Sequence, residues 1–159
     1  RLEAEDYIRK PVQLSALDAL VSKLLDKVTR RIKVLVADDH AVVREGIRAL
    51  LSLQRDIQVV GEAVNGKEAT EKTIQLLPDV VLMDIVMPVM NGLDAAKCIF
   101  KECDSVKVLM LSQYDDDENV LASKQAGAVG FIPKRTASSD LLAAIRSAKR
   151  SQSFHTSSN

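Results

Sequence analysis

Five side chains with complementary chemistry stand just after short apolar runs. Asp38 and Asp39 follow Ile32–Ala37, Asp84 follows Val80–Met83, Ser112 follows Val106–Leu111, and Lys134 comes shortly after Val129–Ile132. If those runs are parallel strands, the five converge on one edge, because an open parallel sheet gathers its ligands at the carboxyl ends of its strands. Three carboxylates brought close repel one another and raise each other's pKa. A hard dication removes the conflict. Mg2+ suits such a set, taking one or two carboxylates and leaving positions for water or phosphate oxygens. An Asp carboxylate facing that opening is a competent nucleophile for forming an aspartyl phosphate. Ser112, as a donor, and Lys134, as a point charge, are then placed to contact phosphoryl oxygens. Each residue alone has a plainer explanation, since an Asp after a strand often caps the next helix. The set of five at successive strand ends carries the signal.

The elements that must position them alternate from Ile32 onward. Ile32–Ala37, Ile57–Val60, Val80–Met83, Val106–Leu111 and Val129–Ile132 read as strands. Val80–Met83 is apolar without alternation, as expected of a strand buried on both faces. Between and after them run stretches of helical period: Val43, Ile47, Leu50 and Leu51; Ala69, Ile74 and Leu77, ended by Pro78; Leu93, Ala96, Ile99 and Phe100; Asn119 to Gln125, ended by Gly127; and Leu141, Leu142, Ile145 and Ala148. Five βα units in succession predict an α/β fold, a parallel sheet with helices on both faces.

The 159 residues are 47% hydrophobic and 28% charged, which suits a folded domain with an aliphatic core and excludes global disorder. Acidic and basic residues balance at 22 each, so the chain lacks the basic excess of a nucleic-acid binder. Its apolar runs are too short to span a bilayer and no charged-then-apolar leader opens it, so a cytoplasmic location is expected. Cys98 and Cys103 lie on different faces of one predicted helix, which argues for two reduced thiols rather than a disulfide or a metal site.

Residues 1–31 stand outside the count. They read as a strand at Tyr7–Ile8, a break at Pro11, and a helix whose seam is Leu14, Leu17, Val21, Leu24 and Val28. The seam is too short to define a coiled coil, and a helix packed on its own domain explains it as well. An apolar seam of this kind needs a covering surface. Either the segment docks elsewhere on the domain, extending a sheet edge with Glu5 to Ile8, or it pairs with another copy in a homodimer, the preferred expectation. Residues 151–159 are polar and read as a tail or linker.

The motifs Val34-Leu35-Val36-Ala37-Asp38-Asp39-His40, Met83-Asp84-Ile85-Val86-Met87-Pro88-Val89-Met90-Asn91-Gly92, Leu111-Ser112 and Gly127-Ala128-Val129-Gly130-Phe131-Ile132-Pro133-Lys134 resemble those of bacterial two-component receiver domains. The resemblance covers 32–150. Asp-Asp-His followed by Val-Arg-Glu-Gly is most similar to the subfamily that carries a C-terminal helix-turn-helix output domain. It implies a flavodoxin-like, doubly wound five-stranded sheet of order 2-1-3-4-5. It also implies a signalling switch, an enzyme only towards its own aspartyl phosphate, that accepts a phosphoryl group on Asp84 from a histidine kinase or phosphotransfer protein and regulates an output partner or domain. Asp39 and Asp84 would hold Mg2+ directly, Asp38 largely through water, and the backbone carbonyl of Val86 would complete the protein ligands. Ser112 and Lys134 would respond to the phosphoryl group, and Phe131 matches the family's switch aromatic, for which a plain core residue is the alternative. Neither nucleic acid nor membrane is expected as a direct partner.

The sequence departs from many receivers after the lysine, where Arg135 stands in place of a proline. A cis bond there would cost roughly 2.5–4 kcal/mol, which leaves the loop geometry open. Glu5-Asp6-Tyr7-Ile8-Arg9-Lys10-Pro11 and the helix after it resemble the last βα unit of a second receiver, with Lys10 an orphan because no acidic pair accompanies it. Three other functions fit less well. A flavodoxin-like electron carrier needs a phosphate loop after the first strand, where this chain has two acids. A Mg2+-dependent phosphohydrolase needs a second Asp two residues beyond the first, where this chain has Val86. A docking-only pseudo-receiver has no need of the intact set Asp38, Asp39, Asp84, Ser112 and Lys134.

Overall fold

The computed structural model describes residues 16–21, 24 and 30–151, and the chain divides into two units, 1–31 and 32–159. In the first unit, residues 16–21 and 24 are helical, and Leu17, Leu20, Val21 and Leu24 are about half exposed. The expected strand at Tyr7–Ile8, the break at Pro11, the orphan Lys10, Leu14, Val28 and the tail beyond Ser151 lie outside the described residues.

The second unit runs β1 (Ile32–Ala37), α1 (Ala41–Ser52), β2 (Ile57–Ala63), α2 (Gly66–Leu76), β3 (Val80–Asp84), α3 (Gly92–Glu102), β4 (Lys107–Ser112), α4 (Asp117–Gln125), β5 (Gly130–Pro133) and α5 (Ser138–Arg150). The five strands form one parallel sheet in the order β2-β1-β3-β4-β5. β3, in the middle, is buried along its whole length, which is why its sequence does not alternate. Two cores flank the sheet. Val34, Val36, Leu82, Leu109, Leu111 and Ile132 meet Leu51 of α1 and Leu141, Ile145 and Ala148 of α5 on one face. Leu35, Ala37, Val81, Met83, Val108 and Met110 meet Ala69 of α2, Ala95, Ala96 and Ile99 of α3, and Ala126 after α4 on the other. None of the described helices is long and apolar enough to cross a membrane.

Several local expectations change, among them the fifth strand, which runs Gly130–Pro133 rather than Val129–Ile132. β2 runs on past Val60 to Ala63, through Gly61, because the register with β1 shifts between Val34 and Leu35: Val34 pairs with Val59 and Leu35 with Gly61, leaving Val60 as an extra residue. Leu77 caps α2 in the left-handed conformation at φ 47° rather than continuing it, and Ile74 stands half exposed while Ala69 and Thr73 take the buried face. Val106 falls just outside β4, which instead reaches Ser112. Cys98 and Cys103 are free thiols.

Candidate functional site

The apolar runs of β1, β3, β4 and β5 are anchored on both faces, so the polar residues at their ends are delivered to fixed places. Asp38 leaves β1 fully buried, Asp84 is the last residue of β3, Ser112 the last of β4, and Lys134 comes one residue after β5. Asp39, Asp84, Val86, Ser112 and Lys134, with His40, Gln113 and Tyr114, line a cavity of about 250 Å³. Asp38 makes a contact with this set through Lys134, whose Nζ lies 2.7 Å from Asp38 Oδ2 and 3.3 Å from Asp84 Oδ2. Neither Asp38 nor Asp39 caps α1. The N-cap is His40, whose backbone N–H donates to Asp38 Oδ1 at 2.8 Å, so the plainer reading of the acidic pair is not realised.

The charge balance at this edge is uneven. Burial, and then the charge of Asp38, push the Asp84 carboxyl up to about 6, against the opposing pull of Lys134. Burial works against the charge on Lys134, but its close contact with Asp38 and the charges of Asp84 and Asp38 outweigh that and raise its pKa. One ammonium therefore serves two buried carboxylates. Its contact with buried Asp38 Oδ2 is the closer of the two, and no other described group serves that oxygen.

Asp38, Asp39, His40 and Asp84 each offer one ligand atom, all within 4.8 Å of one another. This oxygen-rich set, with three carboxylates gathered about one shared ammonium, fits a hard divalent cation.

Sequence reasoning passed over the residues that hold the acidic loop. Arg44 of α1 donates from Nη1 to the Asp38 carbonyl at 2.6 Å, and its Nε lies 3.3 Å from Glu62 Oε1 on β2. Arg48 reaches the other Glu62 oxygen at 3.0 Å. The signal, a Glu in a strand and two Arg one helical turn apart, is visible only once β2 is known to extend through Glu62. Gly92 is a second such residue. A Cβ there would lie 1.9 Å from the Asp84 carbonyl oxygen, so only glycine lets α3 start this close to the end of β3. In the intervening loop Val89 takes φ 69°, a strained conformation for a β-branched residue.

Phe131 is not brought to this cavity. It is partly buried against the core beneath α2, α3 and α4, pairs with Met110 across the sheet, and lines a separate cavity of about 440 Å³ beside α4. The Lys134–Arg135 bond is trans. The loop is instead fixed by Lys134 N–H donating to the Ser112 carbonyl at 2.8 Å and by an ion pair between Arg135 and Asp115.

A family model described as the response regulator receiver domain matches residues 34–146. The chain belongs to the response-regulator receiver family. The receiver is 44% identical over 122 residues to the response regulator protein VraR of Staphylococcus aureus, a match covering 77% of this chain and 58% of VraR. The chain thus spans a little over half the length of that relative. Among solved structures, the signal receiver domain of the putative response regulator NarL from Mycobacterium tuberculosis is 34% identical with a TM-score of 0.75, covering 77% of this chain and 99% of that one. The response regulator domain of Thermotoga maritima CheB is 38% identical with a TM-score of 0.72, at the same coverage of 77% and 99%. The sheet order and helix placement of this receiver are those the resemblance implied, and the general function of the family is that of a phosphoryl-accepting switch in two-component signalling.

Proposed function

We propose that Asp84 of this receiver accepts a phosphoryl group from a histidine kinase or phosphotransfer protein, with Mg2+ held at the same edge, and that the modified state regulates an output partner or domain. The observation that carries the reading is the position of Asp84, which ends the central strand on the wall of the open cavity with its carboxylate 3.3 Å from Lys134. In the transfer, an Asp84 oxygen forms a bond to phosphorus as the phosphorus–nitrogen bond of the donor imidazole breaks and its electrons leave with the ring. Asp39, Asp84 and the Val86 carbonyl would hold Mg2+, with Asp38 reaching it through water, and the bound ion would neutralise charge on the transferring oxygens. Lys134 is shared between two carboxylates and re-aims onto a phosphoryl oxygen with little motion. Ser112 Oγ accepts from Tyr114 N–H at 3.0 Å, so its own proton is free to donate. These new contacts favour the conformer in which Phe131 turns inward, a population shift read on the surface of α4 and β5.

The test is direct. With Mg2+ and a small phosphodonor, the wild-type chain should acquire one hydroxylamine-sensitive phosphoryl group, and Asp84→Asn should acquire none. Undiminished labelling of the variant would remove Asp84 from the role.

A further inference from the structure

We propose that His40 gives the acidic site a nitrogen ligand and so makes it a receptor for a late first-row divalent cation, with Zn2+ as the probe, in addition to Mg2+. The proposal rests on the reading of the acidic edge as a metal site and concerns which ions that site takes.

His40 follows the acidic pair directly, and its ring turns back onto it. Nδ1 lies 3.1 Å from Asp38 Oδ1 and 3.2 Å from Asp39 Oδ1. Two ligands of one ion, each about 2.0–2.2 Å from it, stand about 2.8–3.6 Å apart at the angles of octahedral or tetrahedral coordination. Both separations fall in that span. Without an ion, the ring nitrogen faces two carboxylate oxygens and can pair with only one of them along a straight hydrogen bond. A cation between the three atoms satisfies both oxygens and the nitrogen together. Asp84 supplies a further oxygen within the same 4.8 Å set. The His40 side chain is 57% exposed, so the ring can adjust to an ion without disturbing the core.

The carboxylates serve any of these ions, whereas the imidazole discriminates. Mg2+ is hard, prefers oxygen and gains little from a ring nitrogen. Zn2+, Ni2+ and Cu2+ accept imidazole readily and stand later in the affinity series. His40 therefore adds affinity for the late ions alone.

The experiment titrates the full chain, stripped with chelator, with Zn2+ and with Mg2+ separately. Binding is read by calorimetry and by the ring nitrogen resonances of its two histidines, His40 and His155. Following His40 itself separates this site from zinc taken up by thiols. His40→Asn keeps the backbone N–H bond to Asp38 and a short polar side chain but removes the imidazole. Zn2+ should shift the His40 Nδ1 resonance, and the variant should bind Zn2+ at this site at least roughly tenfold more weakly. Its Mg2+ affinity should stay within about twofold, because Mg2+ is held by oxygen. An unmoved His40 Nδ1, or equal losses for both ions in the variant, would overturn the proposal while leaving the Mg2+ site intact. Unchanged binding of both ions in Asp39→Ala would overturn the metal reading beneath it and the proposal with it.

Discussion

The two edges of the sheet use the same residue types to opposite effect. At the amino-terminal edge Asp79 and Asp56 each have partners of their own. Asp79, before β3, accepts from the Lys33 N–H at 2.8 Å and from Lys149 Nζ at 2.6 Å. Asp56, before β2, takes two bonds from Arg146 at 2.8 and 3.0 Å, and these hold its carboxyl below the usual range. At the carboxyl-terminal edge Asp38, Asp39 and Asp84 crowd around Lys134 and His40, and the Asp84 carboxyl is pushed up instead. An acid matched one-to-one and half in water fastens one element to another. An acid buried among others leaves a charge deficit, and a deficit of positive charge is a binding site for cations. The difference lies in stoichiometry and solvent, not in residue type.

The largest test of this contrast is the metal. Asp39→Ala removes a carboxylate from the crowded edge and should weaken Mg2+ by at least roughly tenfold, read by calorimetry, because few other protein ligands share the ion. Phosphorylation that survives EDTA unchanged would break the contrast outright. Next comes acidity. Without divalent ions, ionised Asp84 destabilises the fold: its folded pKa, about 6, exceeds the ordinary carboxylate value of 3.8, so the folded state binds the extra proton. That cost is present above pH 6 and disappears as pH falls towards 4. Asp84→Asn should therefore unfold at higher urea than wild type at pH 7, by on the order of 2 kcal/mol, and lose that advantage near pH 4. Asp56 has the opposite sign. Its folded pKa is lowered, so its contribution is present above the unfolded value and is lost as pH falls through the folded one. The smallest effect belongs to this matched edge. Arg146→Ala should cost about 0.2–1 kcal/mol in urea unfolding, the range of partly exposed ion pairs, and leave phosphorylation unchanged. A large loss of phosphorylation there would mean that the two edges are coupled.

Much of this was legible in the sequence because the site hangs on strand ends, and strand ends are marked by apolar runs that stop at polar residues. Val80–Met83 announced a buried strand and so located Asp84; Ile32–Ala37 did the same for Asp38 and Asp39. The supports were not legible. Arg44 and Glu62 meet only because α1 packs beside β2, and no local pattern records a contact of that kind. The extent of β2 was not legible, because the apolar run ends at Val60 while pairing with β1 continues through Gly61 to Ala63. Ile74 faces solvent because it stands five residues after Ala69, about 140° round the helix, whereas Thr73, four residues on, shares the buried face.

The extra residue at Val60 works as a phase slip in the pleat. Strand alternation carried straight on from Ile57 and Val59 would send Glu62 towards the α2–α4 side and Ala63 towards α1. With the slip, Glu62 pairs with Val36 and meets Arg44 and Arg48 of α1, while Ala63 pairs with Ala37 and enters the opposite core. The guanidinium that grips the Asp38 carbonyl is thus steadied by an edge strand running out of step. Substitution at position 60 leaves that timing intact. Removing the residue resets the strand to its natural beat, and the acidic loop loses its brace without any residue of the loop having changed.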